Sequence, residues 1–599
     1  MPPTKSSQLQ ASRVAACALI SGALLGLSFP PFDWSLLAWV ALAPLGVVLS
    51  SREMNNRSWA GVYLAGLFFH LMVLDWMRTL YGGVGFSGNF ATGWLLSGQF
   101  GAVLFCLMVV AGRRAVLTAR LPVSVVLPLI WISYEYVQSA IASLFDQAGA
   151  QLVSLAYTQA DRPVIVQIVD LGGAGLLSLL VAGTSGFVYD AIRWVLSSSK
   201  SQREWLSVLR LSPVPIALAA ALTYGHSRLQ QGPAELGPTV CLMGEHDLPP
   251  LLDERRILGA GEDLLTGAEP SPPNLFVWPE LAYHHVLVAP SECPTALAAL
   301  DAACPLANGN VPAYRQTVRR YLEQAAAELQ AGVLIGGERI ESAEGEVRCY
   351  NCLTYVDPVF GIRGLYDKRH LAPFTEFMPS SGHWLQIASR KNYQHGHQAD
   401  PLEFRPMGGD RQYQLGCGLC YDVAFTEHFR QQSADGEVDF FVVSGSEISD
   451  QTGCLSELLL RMAQLRAIEN RRPIVRNTQL GYSGLIDANG QVVRTNERAE
   501  LGAPWMLGAV PLDHRFSLYS RLGDWLSPIC FGLTLALLIQ PTFSSRRSTS
   551  QSQRASTAAQ LSATTKAIRR AFSLLELMAV IAIIGTISAL LVPKVSVSA

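Results

Sequence analysis

The stretch Leu415-Gly416-Cys417-Gly418-Leu419-Cys420-Tyr421-Asp422 is an apolar run of strand length, opened by two glycines and closed by a cysteine, an aromatic and an acid. A short apolar run of this kind is what a strand buried on both faces looks like. The cysteine at its end has two readings: a small hydrophobe in a core, or a thiol presented where the strand stops. The flanking sequence decides the architecture. Runs of similar length recur at 239–243, 275–277, 333–335, 353–356, 440–443 and 474–476, and helical stretches lie between them at 314–329 and 457–469. Strands alternating with helices predict a layered α/β domain over residues 236–513.

Outside that domain the charges disappear. The chain has 599 residues, of which 50% are hydrophobic and only 15% charged, against about 25% charged in soluble domains. Its mean hydropathy is +0.25. Residues 14–51 contain a single charge, Asp33, beside the break Phe29-Pro30-Pro31-Phe32, which reads as two membrane helices joined by a tight turn. Residues 58–74, 79–112, 121–134, 171–189 and 211–225 carry none, and 525–545 is uncharged again. A bilayer core of roughly 30 Å takes about 20 apolar residues. The pattern therefore predicts seven spans within residues 1–230 and an eighth at 525–545.

Basic residues sort by loop. Arg52 and Arg57, then Arg113, Arg114 and Arg120, then Arg193, Lys200, Arg203 and Arg210 fall in alternate loops, while the others hold little beyond Arg78 and Arg162. The positive-inside bias puts the N-terminus in the cytoplasm and, after seven spans, residues 236–513 outside it. The first apolar stretch runs directly into the second, which does not fit a cleavable signal peptide. Residues 546–570 hold six basic side chains and no acid among Ser, Thr, Gln and Ala, the composition of a flexible, cytoplasmic linker. With 45 basic against 47 acidic side chains, nothing global favours a nucleic-acid partner. Eleven cysteines are too few for a disulfide scaffold.

Two further segments of the α/β domain carry chemistry-bearing residues. In Phe276-Val277-Trp278-Pro279-Glu280 a strand runs into a proline, which cannot continue the ladder, and a carboxylate follows at the strand's mouth. In Tyr366-Asp367-Lys368-Arg369-His370-Leu371-Ala372-Pro373-Phe374-Thr375-Glu376-Phe377 a lysine precedes a glutamate by eight positions. Each is unremarkable alone, a solvated loop acid and a surface lysine.

Together with Cys420, in this order and this membrane frame, they resemble the nitrilase (carbon–nitrogen hydrolase) superfamily and, within it, the apolipoprotein N-acyltransferase family, over most of residues 12–541. Pro128-Leu129-Ile130-Trp131 with Glu135, Tyr350-Asn351, Arg461-Met462-Ala463, Arg466-Ala467-Ile468-Glu469, Arg472-Pro473-Ile474 and Tyr519-Ser520-Arg521-Leu522-Gly523-Asp524-Trp525 add to the likeness. The resemblance implies a polytopic α-helical membrane domain bearing an extracytoplasmic α/β domain, an αββα nitrilase-like sandwich. It implies a triad of Glu280, Lys368 and Cys420. Cys420 is expected as nucleophile of a thioester pathway, Glu280 as general base, and Lys368 with the Tyr421 backbone N–H as oxyanion donors. Glu376 is expected to orient Lys368. The activity implied is transfer of an acyl chain from a phospholipid to the N-terminal diacylglyceryl-cysteine amine of apolipoproteins in the bacterial inner membrane. Neither cofactor nor metal is expected. A pocket opening towards the lipid would keep water from the thioester.

The chain departs from the family pattern at two places. Asp422 stands two residues after the nucleophile, where Glu is common. Ser444-Gly445-Ser446-Glu447-Ile448-Ser449-Asp450 replaces an Asn-Asp-x-Trp-Phe-like loop that bears on substrate binding. Cys349/Cys352 and Cys417/Cys420 have zinc-pair spacing, but the long separation and the need for a free Cys420 thiol argue against a metal. Cys293 and Cys304 are the candidate disulfide, and His284-His285 reads as loop. At the far end, Arg569-Arg570-Ala571-Phe572-Ser573-Leu574-Leu575-Glu576-Leu577-Met578 resembles a type IV prepilin processing site, with an apolar helix expected over 571–599. Two rival functions remain open at this point: a membrane-anchored carbon–nitrogen hydrolase or amidase, and a pilus-type assembly component.

Overall fold

The apolar blocks of the first 230 residues form helices. A computed structural model describes residues 5–79, 89–142, 150–196, 213–233, 235–243, 272–282, 286–288, 309–343, 346–373, 375–377, 392–397, 400–434, 436–447, 452–496 and 505–539, with 400 the start of a loop into the next strand. The Cys293/Cys304 pair, His284-His285, the linker at 546–570 and the tail at 571–599 lie outside them. Helices α1 (Lys5–Leu27), α2 (Asn56–Val73), α3 (Asn89–Ala119), α4 (Val123–Ile141), α5 (Val169–Leu196) and α6 (Pro213–Leu229) occupy six of the seven expected blocks. Among the described residues, three helices, Ser7–Leu27, Gly93–Ala119 and Val169–Leu196, are long and apolar enough to cross a membrane.

The second block is not one helix. It breaks into Ser35–Leu37, Ala38–Ala41 and Leu45–Ser50. Pro44 offers no N–H to continue the ladder, and the Leu42 N–H at the break donates to Ser185 Oγ at 3.3 Å. Helix α5 has its own kink at Gly172-Gly173, where Gly173 takes φ 67°. The Tyr519 ring packs there, and a Cβ on Gly173 would lie 2.4 Å from it.

The α/β domain is built on two facing sheets. The first contains β1 (Glu235–Met243), β2 (Leu275–Val277), β3 (Val286–Val288), β4 (Gly332–Ala343), β5 (Glu346–Asp357), β6 (Gly361–Asp367) and the late strand β13 (Trp505–Leu512). Its order is β13-β1-β2-β4-β5-β6, with β3 on β4. The second contains β7 (Leu402–Phe404), β8 (Tyr413–Leu419), β9 (Phe440–Ser446), β10 (Ile474–Gln479), β11 (Ser483–Ile486) and β12 (Val492–Asn496), in the order β12-β11-β10-β9-β8-β7. The central strands β8, β9 and β10 pair in parallel, which is why their sequences are continuous apolar runs rather than alternating ones.

Val240, Val277, Leu334, Leu353 and Tyr366 of the first sheet meet Leu415, Cys417, Leu419, Val442 and Val475 of the second in a dry core. Helix α7 (Val311–Leu329) covers the outer face of the first sheet through Val318, Leu322 and Ala326. Helices α8 (Thr426–Ser433) and α9 (Cys454–Asn470) cover the second. The result is an αββα sandwich.

Helix α9 is buried almost all the way round because it lies between the second sheet and the membrane helices. Met462, Leu465 and Ile468 share one apolar cluster with Val166, Val169 and Leu177. Charged residues pair across that junction. Arg461 Nη2 reaches Asp33 at 2.6 Å and Asp161 at 3.3 Å as well as Glu457 at 2.6 Å. Arg471, just beyond the helix, bonds Asp170 at 2.6 Å. The last of the described helices, α10 (Leu526–Ile539), packs on α4; residues 540–545 of the expected eighth span lie outside the described part.

Candidate active site

Three strand ends converge. β2 stops at Val277, and Trp278 still donates its N–H to Leu334 O, but Pro279 has none to give and the chain turns at Glu280. β6 stops at Asp367, and the Lys368 N–H donates to Asn351 O at 2.8 Å. β8 stops at Leu419, one residue earlier than its apolar run suggested, and Cys420 opens a short 3-10 turn, Cys420–Ala424. Cys420 has φ 46°, a left-handed conformation rare outside glycine and Asn, of a kind that collects at functional sites.

Glu280 and Lys368 are 3% and 1% exposed, values that isolated charges do not tolerate. They survive by pairing. Lys368 Nζ lies 2.8 Å from Glu280 Oε1 and 2.9 Å from Glu376 Oε2. Asn351, buried on β5, donates Nδ2 to Glu280 Oε1 at 2.7 Å and to Glu376 Oε1 at 2.8 Å. Glu280 Oε2 accepts the Ser446 N–H at 2.8 Å, and Glu376 Oε2 that of Ala372 at 2.7 Å. The cluster holds two carboxylates and one ammonium with the donors they need. Cys420 is half-buried at its edge.

The electrostatics follow. Burial raises the Cys420 thiol and the Glu280 charge raises it further, against the pull of Lys368. Burial alone would discharge Lys368, but Glu280 and Glu376 outweigh it and keep it an ammonium. Burial, with the Glu376 charge, pushes the Glu280 carboxyl above its ordinary range against Lys368. The resting site therefore has a protonated thiol, a fixed cation, and a carboxylate raised towards the range where it can accept a proton.

Sequence reading brought Glu280, Lys368, Glu376, Cys420 and Tyr421 forward, and all five lie at this one place. Tyr421 follows the thiol in the turn, its ring edge-on to Phe425. Asn351 was noted only as part of a family echo; nothing in its neighbours marks it as a bridge between two acids. Ser446 contributes through its backbone N–H, which has no sequence signature. Gly336 is a third case: a Cβ there would lie 2.5 Å from Pro279 O and 2.7 Å from Glu280 Cα, so only glycine lets the Glu280 turn pack on β4.

The divergent segment expected as a loop is in its first part strand: Ser444 to Ser446 end β9, where Ser444 Oγ donates to Trp278 O, and Glu447 just beyond pairs with the buried Arg476, while 448–450 lie outside the described residues. The two Cys-x-x-Cys pairs do not converge on one point: Cys417 faces the core between the sheets while Cys420 sits at the turn beyond it. Among the described residues, the group of metal-ligand type that does come together is His370, Asp422 and His428. Both Asp422 oxygens there are already taken by four donors: Leu419 N, Tyr366 Oη, His370 N and His370 Nδ1.

Comparison with known proteins agrees with this architecture. Residues 21–187 match the model of the apolipoprotein N-acyltransferase N-terminal domain, and residues 246–513 that of carbon–nitrogen hydrolases. An apolipoprotein N-acyltransferase of Rhodopirellula baltica is 24% identical over 571 residues, covering 87% of this chain and 95% of that one. One of Geobacter metallireducens is 24% identical over 535 residues, covering 86% and 92%. A solved nitrilase-superfamily protein of Saccharomyces cerevisiae aligns at 16% identity with a TM-score of 0.32, over 48% of this chain and 94% of that one. Matched along nearly the full length of these relatives, in the membrane part and in the α/β part alike, the chain belongs to the apolipoprotein N-acyltransferase family.

Proposed function

We propose that this membrane acyltransferase moves an acyl chain from a phospholipid to the α-amino group of the N-terminal diacylglyceryl-cysteine of apolipoproteins, through a thioester on Cys420. The observation that carries the reading is the buried Glu280–Lys368–Glu376 cluster with Cys420 at its edge. The thiol is held protonated by burial, so it acts only when a base removes the proton as sulfur attacks. Glu280, raised above the ordinary carboxylate range, is suited to that exchange.

In the first half-reaction Glu280 takes the thiol proton while sulfur bonds to the ester carbonyl carbon. The oxyanion that forms is stabilised by Lys368 Nζ and the Tyr421 N–H. Collapse breaks the ester C–O bond, Glu280 returns the proton to the departing lysophospholipid oxygen, and the thioester remains. In the second, the acceptor amine attacks the thioester carbonyl and gives its proton to Glu280. The C–S bond breaks, the thiolate is reprotonated, and an amide leaves. Glu376 keeps Lys368 aimed, and Asn351 keeps the two carboxylates apart. We place the protein in the inner membrane with residues 236–513 on the outer side, on the strength of the loop charges.

The test is mass spectrometry of purified protein mixed with phospholipid alone. Wild type gains an acyl mass on Cys420 that hydroxylamine removes, and Cys420→Ala gains none and transfers nothing. Full transfer by Cys420→Ala would overturn the assignment.

A further inference from the structure

Lys368 and Cys420 reach the site from different sheets, the first from β6 and the second from β8. No backbone ladder joins those strands, so nothing in the sheet hydrogen bonding sets the distance between the ammonium and the thiol. One buried side chain does connect them. Asp422, fully buried, sits two residues after the nucleophile, and its Oδ2 accepts the N–H of Leu419, the residue just before it, at 2.8 Å. This bond closes the turn that holds Cys420 at positive φ.

The remaining capacity of Asp422 is spent on the lysine strand. Its Oδ2 accepts Tyr366 Oη at 2.6 Å, and its Oδ1 accepts both the His370 N–H at 2.9 Å and His370 Nδ1 at 2.8 Å. Tyr366 and His370 flank Lys368 at two positions on either side. The carboxylate thus ties the residues around the lysine to the residues around the nucleophile. A ring nitrogen at this distance from an ionised carboxylate must carry its proton, so Nδ1 is the donor. The imidazole is held in that orientation from its face: it stacks on Phe425 with centroids 3.8 Å apart and planes 16° apart. His428 stands edge-on to it, 5.4 Å between centroids, and bonds Cys417 O through Nε2 at 2.7 Å. Burial lowers the His428 pKa to about 4. Asp422 is nevertheless held below the ordinary carboxylate range, with His428, His370 and the Lys368 charge outweighing its burial.

We propose that His370 is a positioning residue of acyl transfer, acting through Asp422 to set the register between the Lys368 ammonium and the Cys420 turn. The proposal rests on the reading of Cys420 and Lys368 given above. Its chemical meaning is geometric. An oxyanion donor works when it sits about 2.7–3.1 Å from where the charge develops, and a displacement of about 1 Å costs on the order of 100-fold in rate. With the His370 side chain removed, Asp422 keeps Leu419, Tyr366 and the backbone N–H of residue 370 but loses both its ring donor and the stacked ring that anchors the 368–372 segment.

The experiment measures single-turnover formation of acyl-Cys420 in the full chain, reconstituted with excess phospholipid, across a range of phospholipid concentrations. His370→Ala is expected to lower the maximal acylation rate at least about 30-fold while leaving the half-saturating phospholipid concentration within about 2-fold. His370→Asn, whose Nδ2 stands where Nδ1 stood and can donate to Asp422, is expected to return the rate to within about 5-fold of wild type. An alanine variant within about 3-fold of wild type, or a loss expressed in the half-saturating concentration, or an asparagine variant as slow as alanine, overturns the proposal. Should His370→Ala not accumulate in the membrane, Tyr366→Phe removes a different donor from the same carboxylate. It is expected to slow acylation about 10-fold at unchanged half-saturation, and an unchanged rate overturns the proposal. If wild-type protein forms no adduct on Cys420, the reading of the site itself fails. If it does and His370→Ala matches it, only this inference fails.

Discussion

Replacing Asn351 by Leu tests the charge balance of the site without touching any reacting atom. The leucine has the same number of side-chain heavy atoms and the same branching at Cγ, so it leaves no cavity in the β5 core although its methyls are bulkier, while Nδ2 disappears from between Glu280 and Glu376. Hydrogen bonds to charged groups are worth about 1.5–3 kcal/mol each, so two of them amount to roughly 3–6. The substitution also removes Asn351 Oδ1, itself buried without a partner, which returns about 1–3 kcal/mol. The net ground-state cost is therefore between about 0 and 5 kcal/mol. The catalytic consequence comes from the bond to Glu280 alone. It favours the ionised carboxylate, so its loss raises the Glu280 pKa further above the ordinary carboxylate range. The sign is definite. A higher pKa leaves Glu280 protonated over more of the neutral range, where it cannot take the thiol proton, so acylation is lost as pH falls through a higher value than in wild type. The rate of acyl-Cys420 formation, followed from about pH 6 to about pH 9, should fall roughly 10–100-fold at neutral pH and recover towards wild type at the alkaline end. A pH limb in the wild-type position, with the whole curve lowered evenly, would refute the reasoning and reduce Asn351 to a packing residue.

Gly336→Ala should lower transfer at least about 10-fold in protein that still folds, because the new methyl meets backbone atoms of the Glu280 turn and must displace the base; activity within 2-fold of wild type would show that the turn is soft. Arg461→Ala should destabilise the detergent-solubilised protein by about 1–3 kcal/mol, less than for a fully buried pair because Asp33, Glu457 and Asp161 are a third or more exposed or nearly so and can rehydrate. An unchanged thermal midpoint would mean that apolar packing alone joins α9 to the membrane helices. A phosphatase reporter fused after Gly345 should be active and one after Ser550 inactive; the opposite pattern would make the span count wrong by an odd number. Truncation after Ser545 should leave acyl transfer within about 2-fold, roughly 0.4 kcal/mol in barrier height. Loss of activity in protein that reaches the membrane would show that the 546–599 tail belongs to the enzyme.

Local sequence was sufficient for the elements. The charge-free blocks became helices, and the apolar runs at 275–277 and 440–443 lie within β2 and β9, because helix and strand periodicity and burial of parallel strands are written into neighbouring residues. The second block broke where Pro44 stands, a breaker visible in the sequence but outweighed there by the absence of charge. The candidate acids, lysine and thiol were found only because three separated motifs fell in a familiar order; singly, each was better explained as loop, surface or core.

What the sequence by itself determined, then, was the division into an apolar helical part and an α/β part, the strand ends at which chemistry could sit, and the residue types waiting there. Tertiary structure alone decided the rest. It set Lys368 against Glu280 across 88 residues, put Asn351 between two carboxylates, supplied the Ser446 N–H to Glu280, and tied the Lys368 segment to the Cys420 turn through Asp422. The physical reason is one of range. Secondary structure follows from contacts a few residues apart, which composition and spacing record. A buried charge cluster depends on donors from strands that meet only after both sheets have paired and closed, and the low dielectric that gives those contacts their strength exists only in the folded interior.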